Sequence, residues 1–346
     1  MKPIRVLVTG AGSGVGQGIM KSLRISGLPI TLIAADIHPL NAGIFRGDEA
    51  VLIPKVEESG ALERTVELLK EQAVDVVLIG SEFDLNFFAE NSETIKKTTG
   101  SLVIVSELET VRIADDKWLT TRFLEKNNLP FPRSFLPIDL KDCTRHAASL
   151  GYPCVLKSRF GTSNRNVHII GCEKELEQLY PRTPKPLIQE MIAEPSNRLN
   201  SEYTCSVFKC NDGSLLGPFT ARRTLRSGNS WHVEVRRYED FIPLLSRIGE
   251  LLPVMGSINV QLMMGKDGPV PFEFNARFSG TTAVRSYFGF NEPAMAIKNY
   301  FLGEKLSNPE IREGLALRYL EEVFIDDVSL EPDDLLRCKG RVMQWF

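Results

Sequence analysis

Polar and apolar residues alternate from Pro271 to Arg277, where the sequence reads Pro-Phe-Glu-Phe-Asn-Ala-Arg. Because neighbouring side chains of a β-strand point to opposite faces, Glu273, Asn275 and Arg277 would share one face and the phenylalanines would face the core. Carboxylate and amide oxygens suit Mg²⁺, which usually completes its coordination with water and substrate phosphates. The segment therefore predicts a site for a metal-bound phosphate. The alternative is a half-exposed strand with charged outer positions.

A second alternating strand precedes this segment, and a Gly-Lys-Asp-Gly sequence between them is a hairpin signal. A three-residue loop at 266–268 would place Gln261 opposite Glu273 and Asn259 opposite Asn275. The hairpin would then gather oxygen ligands on one surface.

Two upstream lysines could reach phosphates. Lys157 ends an apolar strand, and the loop that follows it to Asn166 contains hydroxyl, amide and guanidinium donors, Ser163 among them. Lys117 follows paired aspartates at the start of a predicted helix. An ordinary solvated loop and a lysine on a solvated helix face are the alternatives.

An apolar strand at 187–192 is interrupted by Gln189 and Glu190, which suits an adenine slot with an amide and a carboxylate at its rim. Glu202 opens the next strand within reach of a ribose. Either acidic residue could instead lie on a surface strand.

The N-terminal sequence from Thr9 to Gly16 is a glycine-rich turn between a predicted strand and helix. Such a turn lets backbone N–H groups approach an anion, and it resembles the cofactor turn of short-chain dehydrogenases, with Asp36 placed to hold a ribose. However, none of the tyrosines has a lysine four positions later, so that family's catalytic pair is missing. An NAD(P)-dependent oxidoreductase stays an alternative, as does a tight turn that contacts substrate.

Composition narrows the function classes. The chain of 346 residues is 43% hydrophobic and 25% charged with a net charge of -3, which is typical of globular proteins and disfavours nucleic acid as a partner. We see no secretory signal and no segment able to span a bilayer. The six cysteines form no Cys-x-x-Cys pair, so we expect reduced thiols and a cytoplasmic location.

The predicted elements divide the chain. Strands alternate with helices up to about residue 112, which predicts a parallel, doubly wound sheet. Past Pro153, strands separated by short polar loops predict antiparallel sheet. The predicted strands are 4–8, 31–35, 74–79, 102–105, 154–157, 167–170, 187–192, 202–208, 258–264 and 270–275, and the predicted helices end near 23 or span 63–72, 117–127 and 239–252.

Taken in chain order, these segments resemble the ATP-grasp superfamily over nearly the whole sequence, most of all one half of the carbamoyl-phosphate synthetase large subunit and the related amino-acid ligases. The segments are Asp116-Lys117, the strand ending at Lys157, Gln189-Glu190, Glu202-Tyr203-Thr204, Asn259-Val260-Gln261 and Glu273-Phe274-Asn275-Ala276-Arg277. The resemblance implies a mixed α/β and α+β fold, in which a Rossmann-like lobe (1–112) precedes a small lobe (113–186), a large lobe (187–325) with antiparallel sheets, and a C-terminal tail (326–346).

The resemblance also implies ATP and Mg²⁺ as cofactors, with two ions expected and Mn²⁺ as a substitute. Lys157 and Arg277 would be catalytic, with Arg277 steadying the γ-phosphate and the acyl intermediate. The expected nucleotide contacts are Lys117, Lys157, Ser163, Gln189, Glu190, Met191 and Glu202, and the expected metal ligands are Gln261, Glu273 and Asn275.

The implied activity is that of a carboxylate–amine ligase, which forms an amide through an acyl phosphate and releases ADP. This chain holds one copy of the unit and no glutaminase domain, so carbamoyl phosphate is a poor candidate product. Small acids and amines are the expected partners, and a homodimer is compatible with the sequence. A non-catalytic nucleotide-binding protein is a further alternative. Candidate substrate contacts are Arg222, Arg223, Arg226 and Arg285 for carboxylates, and Glu82 and Asp84 for an amine.

Overall fold

The computed structural model describes residues 2–161, 166–193, 202–326 and 328–342. The first lobe is a parallel sheet with strand order β3-β2-β1-β4-β5 and helices packed against it. Its elements are β1 (Ile4–Val8), α1 (Gly14–Arg24), β2 (Ile30–Asp36), β3 (Glu49–Leu52), α2 (Ala61–Glu71), β4 (Val76–Leu78), α3 (Leu85–Thr99), β5 (Leu102–Ile104) and α4 (Leu108–Asp115). The predicted Rossmann-like parallel sheet is confirmed, and β3, α3 and α4 are additions to the predicted elements.

The next lobe is antiparallel, with strand order β6-β9-β7-β8. It contains α5 (Lys117–Lys126), β6 (Ser134–Phe135), α6 (Leu140–Leu150), β7 (Cys154–Ser158), β8 (Val167–Ile170), α7 (Glu173–Leu179) and β9 (Pro186–Glu190). Because β9 pairs with β6 and β7, residues 187–190 lie in this sheet, across the boundary predicted after residue 186. The division into domains itself stays a prediction.

The third sheet runs β15-β14-β10-β12-β13-β16, and β11 pairs with β10. The elements of this lobe and the C-terminal segment are β10 (Glu202–Lys209), β11 (Leu215–Phe219), β12 (Ala221–Arg226), β13 (Asn229–Val235), α8 (Ile242–Leu251), β14 (Gly256–Gly265), β15 (Gly268–Asn275), α9 (Thr282–Tyr287), α10 (Glu292–Ala296), β16 (Gly314–Leu317) and α11 (Pro332–Arg337). Its pairings are antiparallel, as predicted.

The β14–β15 hairpin has the expected register at the site but a different loop. Gly265 pairs with Gly268, so the loop has two residues rather than three. A β-bulge then restores the register, because Leu262 pairs with Pro271 whereas Gln261 pairs with Glu273. The bulge also corrects the prediction that both phenylalanines face the core: Phe274 is buried there, but Phe272 borders a cavity.

The glycines of the first turn allow close backbone packing. A methyl group at Gly16 would lie 2.2 Å from the carbonyl oxygen of Gly10, and one at Gly80 would lie 2.6 Å from the Cα of Gly16. Gly18, two residues further along α1, packs against α9 with ordinary contacts of 3.7 Å. A methyl group would therefore clash with the backbone at Gly16 but would fit at Gly18.

We expect Gly16→Ala to lower the free energy of unfolding by at least about 2 kcal/mol, because backbone atoms cannot yield to the added methyl group. Gly18→Ala should be neutral or stabilising by up to about 1 kcal/mol, because alanine has the higher helix propensity. Chemical denaturation of both variants checks this. Equal stabilities would contradict the packing described here.

Candidate functional site

Three side chains of the β14–β15 hairpin contact one another as predicted from its register. The amide nitrogen of Gln261 donates to Glu273 Oε1 at 2.9 Å, and the amide nitrogen of Asn275 donates to the same oxygen at 3.2 Å. Gln261 Oε1 in turn accepts from Arg223 at 2.9 Å. One carboxylate and two amides thus form a compact polar cluster.

The donor set of this cluster fits a magnesium ion that keeps water and phosphate ligands. Mg²⁺ is commonly held by one or two carboxylates together with substrate phosphates. Glu273 supplies the charge, and rotation of the Asn275 amide would present its oxygen to an ion. The described residues contain no group of three or more His, Cys, Asp or Glu side chains that could hold a metal ion.

A narrow cavity of about 50 Å³ lies between the small lobe and β15. Lys157, only 4% exposed, donates to Gln189 Oε1 at 2.8 Å, and its ammonium lies 5.7 Å from the centroid of the Phe272 ring. Gln189 donates onward to the Ser134 hydroxyl at 2.7 Å. The cavity is lined by Lys117, Val155, Lys157, Val167, Gln189, Glu190, Met191, Ile192, Ala193, Met263, Phe272 and Glu273.

Lys117 begins α5 and turns toward the loop after β7. Its ammonium donates to the carbonyl oxygen of Gly161 at 2.6 Å. Asp116 caps the helix by accepting from the backbone of Trp118, and it also forms an ion pair with Arg159 at 2.6 Å. The loop is thereby tied to the start of α5. Ser163, the predicted phosphate donor of this loop, lies outside the described residues.

Glu190 and Glu202, the predicted adenine-region and ribose contacts, each form an ion pair. Glu190 accepts from the Arg133 backbone at 2.8 Å and side chain at 2.6 Å. Glu202 is 8% exposed and accepts from Arg223 Nε at 3.0 Å. A ribose hydroxyl would therefore compete with Arg223 for the Glu202 carboxylate.

A polar cleft of about 240 Å³ lies on the other side of Glu273. It is lined by Ser13, Gly14, Val15, Gly80, Ser81, Glu82, Phe83, Arg223, Leu225, Gly228, Asn229, Ser230, Asn259, Gln261, Glu273, Asn275, Arg277, Ser279, Gly280 and Arg318. Glu273 thus borders both the narrow cavity and the cleft, and the glycine turn of the first lobe forms part of the cleft wall. We refer to these as the slot and the cleft.

Arg277 connects the large lobe to the first lobe. Its guanidinium donates to Glu82 Oε2 at 3.0 Å and to the carbonyl oxygen of Phe278 at 2.8 Å. Arg277 was predicted for the γ-phosphate and Glu82 for an amine. The two side chains share the cleft and pair with each other.

Asp36, the acidic residue that the sequence placed to hold a ribose, is hydrogen-bonded to the glycine turn itself. Asp36 Oδ2 accepts from the backbone N–H of Gly12 at 2.8 Å, and Ser13 caps α1 while donating to the carbonyl oxygen of Gly80 at 2.7 Å. A methyl group at Gly12 would lie 2.7 Å from Asn41. These contacts give the glycines a packing role and occupy the carboxylate that a dinucleotide ribose would need.

The predicted substrate role of Arg285 is wrong. This side chain is fully buried, pairs with Glu292 at 3.1 Å, and also donates to Asn259 Oδ1. Thr204 donates to the same Asn259 oxygen at 2.8 Å. Arg285 therefore supports Asn259 from within the core and is closed to a substrate carboxylate.

The other candidate arginines lie at different places. Arg223 lines both the cleft and an adjoining surface groove, whereas Arg222 pairs with Glu234 at 2.6 Å in that groove and is absent from the cleft lining. Arg226 stacks over Trp231, with its guanidinium carbon 4.8 Å from the ring centroid. Alternation along β12 explains why Arg222 and Arg223 differ.

Asp84, the second candidate for an amine, is buried and is absent from the cleft lining. Burial raises the pKa of this carboxyl to about 6, although hydrogen bonds with Thr9 and Ser81 act in the opposite direction. Asp84 is therefore a buried carboxyl group of the first lobe, and it does not face the cleft in this structure.

Sequence reasoning missed several residues of the cleft and the slot, among them Phe272, Phe83 and Arg318. Phe272 reaches the slot because of the bulge, which the alternating pattern did not reveal. Phe83, which is 75% exposed, and Arg318 reach the cleft from segments distant in sequence. Of these residues, only Phe83 could have been suspected from the sequence, because it follows the candidate residue Glu82.

Comparison with known proteins shows a partial family match and several structures of the same fold. Residues 196–323 match the family model described as ATP-grasp in the biosynthetic pathway with Ter operon. The N5-carboxyaminoimidazole synthetase of Staphylococcus aureus, complexed with ADP, is 15% identical, and the match covers 92% of this chain and 83% of that chain with a TM-score of 0.73.

Two carboxylase structures are similarly related. The biotin carboxylase domain of the Hydrogenobacter thermophilus 2-oxoglutarate carboxylase is 16% identical, with 100% of this chain and 84% of that chain covered and a TM-score of 0.73. The Campylobacter jejuni biotin carboxylase is 14% identical, with 94% and 80% covered and a TM-score of 0.74.

The chain has the fold of ATP-grasp enzymes, and residues 196–323 match an ATP-grasp family model, which confirms the predicted resemblance and fold class. The matched segment, residues 196–323, contains the β14–β15 hairpin with Gln261, Glu273 and Asn275. In the part of the chain that the structure describes, no helix is long and apolar enough to cross a membrane.

The raised pKa of Asp84 predicts a specific pH dependence of stability. Between its ordinary pKa near 4 and about 6, the folded state binds the proton more tightly than the unfolded chain, so the free energy of unfolding falls as pH rises through this window. Asp84→Asn cannot ionise and should gain stability relative to wild type over that range, by at most about 3 kcal/mol. Melting temperatures from pH 4 to pH 7 measure this.

The exposed Asp240→Asn variant serves as the control, and its melting profile should follow that of wild type. Parallel profiles for Asp84→Asn and wild type would show that burial of Asp84 has no such energetic consequence.

Proposed function

We propose that the chain is an ATP-dependent carboxylate–amine ligase that forms an amide through an acyl phosphate. The observation that carries this proposal is the position of Glu273 on the wall shared by the lysine-lined slot and the polar cleft. A nucleotide in the slot would direct its phosphates past Glu273 into the cleft, where an acid could meet the γ-phosphorus.

The slot residues would bind ATP. Gln189, Glu190 and Met191 would border the adenine, and Lys117 and Lys157 would neutralise phosphate charge. Glu202 would receive the ribose after release from Arg223. The slot as described holds only about 50 Å³, so nucleotide binding requires the small lobe to move away from β15.

Gln261, Glu273 and Asn275 would hold magnesium. When bound, the metal supplies charge neutralisation to the phosphates and aligns the γ-phosphate for transfer. The side chains of this chain supply the oxygen donors, and Arg223 would give up its contact with Gln261 when that amide oxygen is needed.

The substrate carboxylate would attack the γ-phosphorus of ATP, forming a P–O bond while the bond to ADP breaks. An amine would then attack the acyl carbon, and phosphate would leave as the amine loses a proton. Phosphoryl transfer depends mainly on positioning and charge stabilisation, so Lys157 and Arg277 would matter more than a general base.

The relatives support this activity class. The Staphylococcus aureus synthetase was solved as a complex with ADP, and the Hydrogenobacter thermophilus biotin carboxylase domain was solved as a dimer in complex with MgADP, ADP and bicarbonate. We extend ATP and Mg²⁺ to this chain on that basis, and the homodimer and the cytoplasmic location stay predictions.

We expect Glu273→Gln to reduce ADP release by about two to three powers of ten, as for the loss of one charge-stabilising contact in other active sites. The assay pairs small carboxylic acids with amines in the presence of Mg-ATP, and mass spectrometry identifies the amide. Glu250→Gln, on the exposed face of α8, is the matched control with unchanged turnover.

A fully active Glu273→Gln variant would remove the metal assignment. ATP binding by calorimetry without ADP release under any acid–amine pair would instead favour a non-catalytic nucleotide-binding protein, and a nicotinamide absorbance change without ATP consumption would favour an oxidoreductase.

A further inference from the structure

The cationic side chains of the cleft outnumber its acidic ones. Among the described residues that line it, Arg223, Arg277 and Arg318 face Glu82 and Glu273. A guanidinium that leaves bulk water loses solvation, and an ionic partner must offset that cost. The partner of each arginine therefore indicates whether the cleft has capacity for an anion.

Two of the arginines have carboxylate partners. Arg223 donates to Glu202 at 3.0 Å, and Arg277 donates to Glu82 at 3.0 Å. These pairs hold both guanidinium groups against acidic side chains of the protein.

Arg318 differs from them. It follows β16, where its backbone N–H donates to the carbonyl oxygen of Trp231 at 2.8 Å and its Nη2 donates to the carbonyl oxygen of Gly280 at 2.6 Å. Burial lowers the pKa of the guanidinium. Within the described ranges no carboxylate forms an ion pair with it, although arginine stays charged at neutral pH.

The second amino group of Arg318 faces the start of α1. A methyl group at Gly14 would lie 4.0 Å from Nη1 and 3.8 Å from Asn229 Oδ1. The first turn of α1 carries no acidic residue, and the amides of Gly14 and Val15 donate to no acceptor in the described part of the chain. An arginine and two backbone donors thus converge on one end of the cleft.

We propose that Arg318 binds a substrate carboxylate that is not itself activated. The inference rests on the proposed ligase function, and it assigns the substrate class: one of the two substrates carries a second, unreactive carboxylate. The carboxylate would accept from Arg318 Nη1 and from the first amides of α1, and it would supply the counterion that the described residues do not provide.

The activated carboxylate would bind elsewhere in the cleft. It must stand beside the γ-phosphate, near Glu273 and Arg277, whereas Arg318 is held at Gly280 and faces Gly14. A volume of about 240 Å³ is small for a ligand site and suits a compact molecule with two functional groups. An amino acid as the amine substrate and a short dicarboxylate as the acid substrate both present this chemistry.

Calorimetric titration of the full chain with Mg-ADP tests the assignment without turnover. The probes are the common amino acids and short dicarboxylates, each compared with its amide or with the amine that lacks the carboxylate. We expect Arg318→Gln to weaken carboxylate binding by roughly 10- to 100-fold, as for a lost charge-assisted hydrogen bond, and to leave ADP affinity unchanged.

Two further variants make the result interpretable. Arg247→Gln removes an exposed arginine of α8 and should bind every probe as wild type does. Arg318→Lys keeps the charge with a single donor group and should show an intermediate loss, and melting curves verify that each variant is folded. The probe class that responds to Arg318 identifies whether the amine or the acid carries the carboxylate.

Three results would overturn the assignment: equal affinities in wild type and Arg318→Gln, equal affinities for probes with and without the carboxylate, or no carboxylate bound by wild type. In the ADP-release assay, an unchanged KM for both substrates in Arg318→Gln would overturn it while leaving the ligase function intact. Binding that depends on Arg318 without any ADP release would instead contradict the ligase function alone.

Discussion

The pairing of Gln261 with Glu273 across the β14–β15 hairpin is the constraint on which the site depends. A shift of one residue would turn Glu273 and Asn275 to the opposite face of β15 and separate the carboxylate from the Gln261 amide on β14. The bulge absorbs the difference between a two-residue loop and this register. The bulge also directs Phe272 toward Lys157 while Phe274 stays in the core. One irregularity of the backbone thus sets the pairing of Gln261 with Glu273 and adds Phe272 to the slot.

The first lobe forms one wall of the cleft because two of its turns pack closely against each other. The glycines at 10, 16 and 80 let the turns after β1 and β4 pack backbone against backbone, which sets Ser13 and Glu82 at the cleft. The pair between Glu82 and Arg277 then joins this lobe to the strand end that carries Glu273 and Asn275. The glycine turn thus has a structural explanation that requires no dinucleotide.

The ion pairs distinguish the charged residues that support the site from those that can contact a ligand. Arg285 and Glu292 are both fully buried and neutralise each other beneath β14, where Arg285 orients Asn259. Arg223 is held by Glu202, whereas the side chain of Arg318 donates to the carbonyl oxygen of Gly280 and forms no ion pair with a carboxylate of the described residues. Because an uncompensated guanidinium is costly inside a protein, this difference carries more information than the number of arginines in the cleft.

Local patterns in the sequence determined the parallel first lobe, the antiparallel strands and the face shared by Glu273 and Asn275, because strand periodicity and hairpin turns act over a few residues. Tertiary structure decided what distant segments contribute. The burial of Arg285 depends on Glu292 and Asn259, and the arrival of Arg318 beside Gly14 depends on the pairing of β16 with β13. Sequence does not encode such contacts locally, since each arises only when several elements pack together.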